Sequence, residues 1–194
     1  MKIVMRVLMA LGIILVIAAV GIYFMPNHYQ ISNSIEINKP VDVVYAQLSD
    51  FNKWNNWSPW HEKEPTAKTT FEGTPGAKGH RMSWEGKQLG EGSLTLSWAK
   101  MNTTIHSDLD FIKPFKSQAK DQWDLEAVGD KTKVTWTNSG GLSFPIGRLF
   151  GISVNKMMNA EQQHGLDNLK QYCEKLHTTM PMASADSSST DKPM

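Results

Sequence analysis

The sequence predicts an α+β domain carried behind one apolar N-terminal segment. Three observations predict it: an uncharged apolar run near the start, about ninety residues of period-two alternation broken by glycine and proline turns, and a closing stretch whose apolar residues recur at three and four. Short links between the alternating segments require antiparallel neighbours, and a curved sheet of that kind is able to wrap one long helix.

The apolar run comes first. Residues 7–25, VLMALGIILVIAAVGIYFM, carry no charge. As a helix they extend ~28 Å, near the hydrocarbon thickness of a bilayer. They are read as a transmembrane helix within a 1–26 anchor. Lys2 and Arg6 precede the run and no Lys or Arg follows until Lys39. The positive-inside bias therefore predicts a cytoplasmic N-terminus and an extracytoplasmic remainder, periplasmic in a Gram-negative cell. Ala18, Ala19 and Gly21 keep a cleaved signal peptide as the alternative. The run exceeds the ~7–15 residues of a signal-peptide core and lacks a clean cleavage site before a polar start, which favours a retained signal-anchor. At the other end, residues 178–194 are small, polar and proline-bearing, and are expected to be disordered. The folded domain is then 27–177.

Within that domain, YQISNSIEI alternates Tyr29, Ile31, Ile35 and Ile37 against polar partners, as a strand does. After NKP, Val41, Val44, Tyr45 and Leu48 recur at helical spacing. Trp54, Trp57 and Trp60, three apart and interrupted by Pro59, predict a brief second helical turn. Strands are expected near 66–72, 80–85, 91–99, 102–112, 115–126 and 131–138. Residues 140–151 are expected to form a loop. Met158, Gln162, Leu166, Leu169, Cys173 and Leu176 then mark an amphipathic helix over 154–177.

Composition removes several functions. The formal charge of +1 falls to about −1 once Lys2 and Arg6 are set aside, so no basic surface for nucleic acid is implied. The single cysteine, Cys173, excludes an intramolecular disulfide and is expected to be a small core residue. Scattered histidines and one cysteine lack zinc spacing, so no metal site is expected. The glycine-rich stretch 73–92 has strands on both sides and no helix after it, so it is read as turns rather than a phosphate cradle, and no cofactor is expected.

The stretch IEINKPVDVVYAQLSDFNKWNNWSPW resembles the opening of the polyketide cyclase/dehydrase branch of the START-like (SRPBCC) superfamily. GTPGAKGHRMSWEGKQLGEGSLTL, TKVTWTNSG and EQQHGLDNLKQYCEKL resemble its glycine-punctuated hairpin, a late strand and its Gly-Leu-x-x-Leu-Lys helix, in that order. The resemblance spans residues 29–177. It implies a helix-grip fold, a seven-stranded antiparallel sheet gripping the last helix, with a hydrophobic cavity between them. It also implies ligands such as lipids, sterols and polyketides, with catalysis of cyclisation or dehydration in a minority of members. Fold alone does not choose among these.

Expected cavity residues are those in phase with the inner sheet face or the helix stripe: His80, Met82 and Trp84; Trp98; Phe111; Trp123; Trp136; and Leu166 and Leu169. Seven tryptophans favour an apolar ligand, although plain core packing explains most of them. Trp54, Trp57 and Trp60 are expected at the pocket entrance or facing the membrane. His106, Asp108 and Asp110 alternate against Ile105, Leu109 and Phe111 and are expected outside. His80, at a strand end, is either a rim residue or an interior acid/base. Asp121, in phase with Trp123 and Leu125, is the one candidate for a buried carboxylate. No catalytic residue is assigned. The leading expectation is a membrane-anchored, non-catalytic domain that binds a hydrophobic small molecule or lipid. The alternatives are an acid/base enzyme acting on such a ligand through His80 or Asp121, and an interaction module of a membrane complex.

Overall fold

The structure, a computed structural model, describes residues 2–176. The expected tail at 178–194 lies outside them. Helix α1 (Lys2–Tyr23) buries none of its side chains and is long and apolar enough to cross a membrane. Strand β1 (His28–Ile37) leads into α2 (Val41–Leu48), a 3-10 segment (Phe51–Asn56) and the short α3 (Pro59–Lys63). Six strands follow: β2 (Lys68–Glu72), β3 (Arg81–Glu85), β4 (Glu91–Lys100), β5 (Thr104–Lys113), β6 (Ser117–Val128) and β7 (Lys131–Gly141). Helix α4 (Ile146–Lys175) closes the described chain.

All seven strands form one antiparallel sheet in the order β1-β7-β6-β5-β4-β3-β2. Hairpin links build the meander from β2 to β7, and β1 closes its other edge beside β7. One sheet face is apolar because period two sends alternate residues inward. On β6 these are Ala119, Asp121, Trp123 and Leu125, and on β7 they are Thr132, Val134, Trp136 and Asn138. Helix α4 lays Leu166, Leu169 and Cys173 on this face, where they meet Val44, Leu48, Phe51 and Trp123. The Trp123 and Trp136 rings stack with centroids 4.2 Å apart at the centre. This is an α+β helix-grip architecture.

Strand positions agree with the sequence reading to within one to three residues at most ends. Three features differ. Helix α4 starts at Ile146, inside the stretch expected to be a loop. Its first turns expose Ile146, Leu149 and Phe150, so no core-facing periodicity marked them, and Gly147 and Gly151 weakened the helical pattern further. Trp98, expected inside, lies on the outer face. A β-bulge separates Leu96, opposite Ser107, from Trp98, opposite His106. The extra residue, Ser97, donates its hydroxyl to the His106 carbonyl at 3.1 Å and reverses the alternation. Trp54 and Trp57 are core residues rather than entrance or membrane residues, with their rings packed around Trp123.

Candidate functional site

Between the inner face of β2–β7 and the roof made by α3 and α4 lies a cavity of about 300 Å³. Met82, Trp84, Leu94, Leu109, Phe111 and Trp136 form its sheet wall, and Trp60, Met157 and Met158 form much of its roof. The roof is fastened by polar contacts. Glu62 on α3 meets His164 at 2.8 Å and accepts from Asn168 Nδ2 at 3.1 Å, while Lys63 pairs with Glu161 at 2.6 Å. Gly165 lets α4 cross closely: a Cβ there would stand 3.1 Å from both Pro59 and the Trp136 ring.

Of the nine expected cavity residues, Met82, Trp84, Phe111 and Trp136 line this space. Trp123, Leu166 and Leu169 are fully buried beside it, in the core rather than the lining. Trp98 is 52% exposed on the opposite sheet face, edge-on to His106 at 5.2 Å. His80 is buried and is neither a rim residue nor a proton carrier in the cavity. Its Nε2 accepts from the Phe51 amide at 3.0 Å and its Nδ1 donates to the Glu72 carbonyl at 3.0 Å, while its ring stacks on Phe51 at 4.8 Å. Those bonds use both nitrogens of a neutral ring, so His80 pins the corner where the 3-10 segment meets the β2–β3 turn. The His106, Asp108 and Asp110 set does lie outside: Asp110 accepts from Gln118 Nε2 at 2.7 Å and His106 supports Trp98.

Asp121 is a buried polar feature of the wall. It is 4% exposed and its Oδ1 accepts from Trp136 Nε1 at 2.9 Å and from Asn138 Nδ2 at 2.7 Å. Among the described residues both hydrogen bonds to this carboxyl fall on Oδ1, which leaves Oδ2 for an occupant of the cavity. Burial pushes its pKa up to about 6, even though the Asn138 and Trp136 bonds favour the anion. Among the described residues the Asn138 Oδ1, buried beside it, has no hydrogen-bond partner. Asn138 was missed in the sequence although it continues the inward phase of Val134 and Trp136.

A second carboxylate, also missed, builds one wall. Glu64 accepts from the amides of Lys87, Gln88 and Leu89 at 2.7, 2.9 and 3.0 Å. These bonds, above all that from Leu89, hold its pKa below the usual carboxylate range. The clamp fixes the β3–β4 turn, whose Gln88 and Leu89 border the cavity. Nothing in the local sequence marks Glu64, because its partners are backbone groups more than twenty residues away. Among the described residues no cluster of His, Cys, Asp and Glu is arranged to hold a metal.

Comparisons place this architecture among known proteins. Residues 28–174 match the profile of a family described as polyketide cyclase / dehydrase and lipid transport. No curated protein matches the sequence. Solved structures share the fold at low identity. A protein from Nitrosospira multiformis is 22% identical, with 74% of this chain and 94% of that one covered and a TM-score of 0.55. CalU16 from Micromonospora echinospora is 14% identical over 75% of this chain and 76% of its own, with a TM-score of 0.52. Aha1 from Colwellia psychrerythraea is 16% identical over 76% and 97%, with a TM-score of 0.55.

Proposed function

Because the chain belongs to the polyketide cyclase / dehydrase and lipid transport family, we propose that it is a membrane-anchored binding domain that holds a hydrophobic small molecule or lipid in the cavity under α4. Residues 1–26 serve as the anchor, with the N-terminus in the cytoplasm and the domain, 27–177, outside it. The observation that carries the reading is the lining: an apolar wall of Met82, Trp84, Leu94, Leu109, Phe111 and Trp136 that also carries the buried carboxyl of Asp121. Such a wall suits an apolar body, and the open Oδ2 of Asp121 suits one hydroxyl or ammonium donor on it. At about 300 Å³ the cavity is at the small end of the range of small-ligand pockets.

Native mass spectrometry of the chain after mild detergent extraction tests retention. Quenching of tryptophan emission by dodecanol, dodecylamine and dodecanoate, each kept below its micellar concentration, tests uptake. The alcohol and amine are expected to bind more tightly than the carboxylate above pH 6, where Asp121 is ionised. A cavity that retains nothing and takes up none of the three ends the proposal. A second reading, proton transfer to or from the bound ligand, is favoured only by the elevated pKa of Asp121, and it is weakened because the other carboxylate of the lining, Glu64, is taken up by three backbone amides; Asp121→Asn abolishing turnover of an added ligand while preserving its binding would establish it.

A further inference from the structure

We infer that the end of the domain containing the cavity docks on the bilayer, with Phe115 and the first turns of α4 set into the lipid interface, so that the cavity exchanges ligand with the membrane. The inference rests on the reading of α1 as a membrane span, and goes beyond it by assigning a second contact and its lipid-facing residues.

Chain length gives the first argument. Only residues 24–27 separate α1 from β1, a link of four residues that reaches at most about 14 Å. The start of β1 is thus held at the membrane surface. Strand register then states what else lies at that end. His28 is opposite Gly141, Gly140 is opposite Ala119, Ser117 is opposite Phe111, and Lys113 is opposite Glu91. The β5–β6 turn, the β7–α4 link and the β3–β4 turn therefore share the end from which the anchor leaves. Of the cavity residues, Leu89 belongs to the β3–β4 turn, Phe111 and Asn138 lie two and three residues from the ends of β5 and β7 on this side, and Met157 is in the first half of α4.

Contacts between the anchor and α4 agree. The Leu142 amide donates to the Asn27 carbonyl at 2.7 Å. Arg148 donates to the Tyr23 carbonyl, and its guanidinium lies 5.7 Å from the ring centres of both Tyr23 and Phe144. The beginning of α4 is tied to the end of α1.

The exposed side chains supply the chemistry. Ile146, Leu149, Phe150 and Met157 fall on one stripe of α4, and each is more than half exposed. Phe115, at the tip of the β5–β6 turn, is 82% exposed. Lys116 and Lys156 are exposed beside these residues, as basic groups are at an anionic headgroup layer. The opposite end of the sheet differs: Met101 and Val128 are single apolar side chains among Lys100, Asn102, Asp130 and Lys131. A bilayer is the occupant that matches a stripe of apolar and aromatic groups with cations at its margin, placed beside a transmembrane helix.

The test uses the full chain in vesicles of phosphatidylcholine and phosphatidylglycerol. Single cysteines are introduced as Phe115→Cys, Phe150→Cys and, at the far end, Asp130→Cys, and each is labelled with an environment-sensitive dye. Cys173 is left in place, because its buried thiol, pushed up to about 12 by burial, does not compete for label. Flotation with the vesicles is measured first. The expected result is strong quenching of the labels at 115 and 150 by doxyl-labelled lipid, with iodide quenching several-fold weaker than at 130. A chain that fails to float removes the anchor reading and this inference together. A chain that floats while its labels at 115 and 150 remain open to iodide keeps the anchor reading and overturns the docking. Labels shielded from iodide but out of reach of the doxyl lipid show a protein on this face, and overturn it too. All three substituted positions are exposed, and unchanged melting of each variant verifies that the fold is kept.

Discussion

Asp121 occupies a wall where burial opposes ionisation and two hydrogen bonds only partly compensate. Its carboxyl titrates near 6 in the folded chain against a usual value of 3.8. The sign follows from that order. Below 3.8 the group is protonated in both states and its contribution is fully present; as pH rises towards 6 the unfolded chain releases a proton that the folded chain keeps, so stability falls, and above 6 the loss is complete. At about 1.4 kcal/mol per pKa unit the loss is about 3 kcal/mol. Asp121→Asn retains an oxygen for Trp136 and Asn138 but cannot ionise. Urea denaturation of wild type and variant in non-ionic detergent is expected to give a stability difference that shifts toward the variant from pH 4 to 6 and is flat above. A difference that does not move with pH would show that the carboxyl is solvated. The phase of Asp121 with Trp123 and Leu125 was legible, and so was the outward face of His106, Asp108 and Asp110. His80 was not legible as a structural pin, because its partners, the Phe51 amide and the Glu72 carbonyl, are contacts of the backbone that no side-chain pattern records.

At the scale of elements, the β3–β4 turn shows how one remote side chain shapes the cavity. Gly86 N donates to Gly90 O at 2.8 Å to close the turn, and Glu64 receives the next three amides. Gly92 then keeps its face of β4 clear for Trp84, whose ring carbon would lie 2.4 Å from a Cβ placed there. Glu64→Gln replaces one accepting oxygen with an NH2 group that faces donors, so it is expected to release at least one amide and leave it without a partner. Hydrogen exchange at residues 87–89 should then accelerate markedly while exchange in β6 and β7 stays unchanged, and dodecanol should bind more weakly. Since the Glu64 pKa is lowered, the clamp's contribution is present above the ordinary carboxylate range and is lost as pH falls, so acid should loosen the same three amides in the wild type. Equal protection of these amides in both proteins would remove Glu64 from this role. The strands around the turn were legible from alternation alone. Where an extra residue entered, as at Ser97, alternation misled, because a bulge reverses every later residue on its strand and leaves no mark in hydropathy. The first turns of α4 escaped for the complementary reason: their apolar side chains face away from the core.

For the whole molecule, the order of segments bears on where the proposed binding would take place. An apolar helix of 22 residues stands three sheet-building steps from the cavity: four linking residues, β1, and the β1–β7 pairing that brings Asn138 and Trp136 to the wall. With α1 as the proposed anchor, this shortness keeps the cavity beside the membrane, and charge predicts the side on which it lies. Lys2 and Arg6 precede the helix, and the next cation after it is Lys39, already beyond β1. In the proposed topology those two cations stay on the cytoplasmic side, with β1 and all that follows outside. Fusion at Met194 of a reporter active only outside the cytoplasm is expected to be active, a cytoplasmic reporter at the same place inactive, and the chain resistant to carbonate extraction. Replacing Lys2 and Arg6 by Gln while adding two Lys after Pro26 should reduce the first signal and raise the second, because the charge bias is then reversed. An active cytoplasmic reporter on the unaltered chain would overturn the topology, while carbonate release of a chain cut near 18–21 would show a signal peptide and leave the cavity free in the extracytoplasmic space.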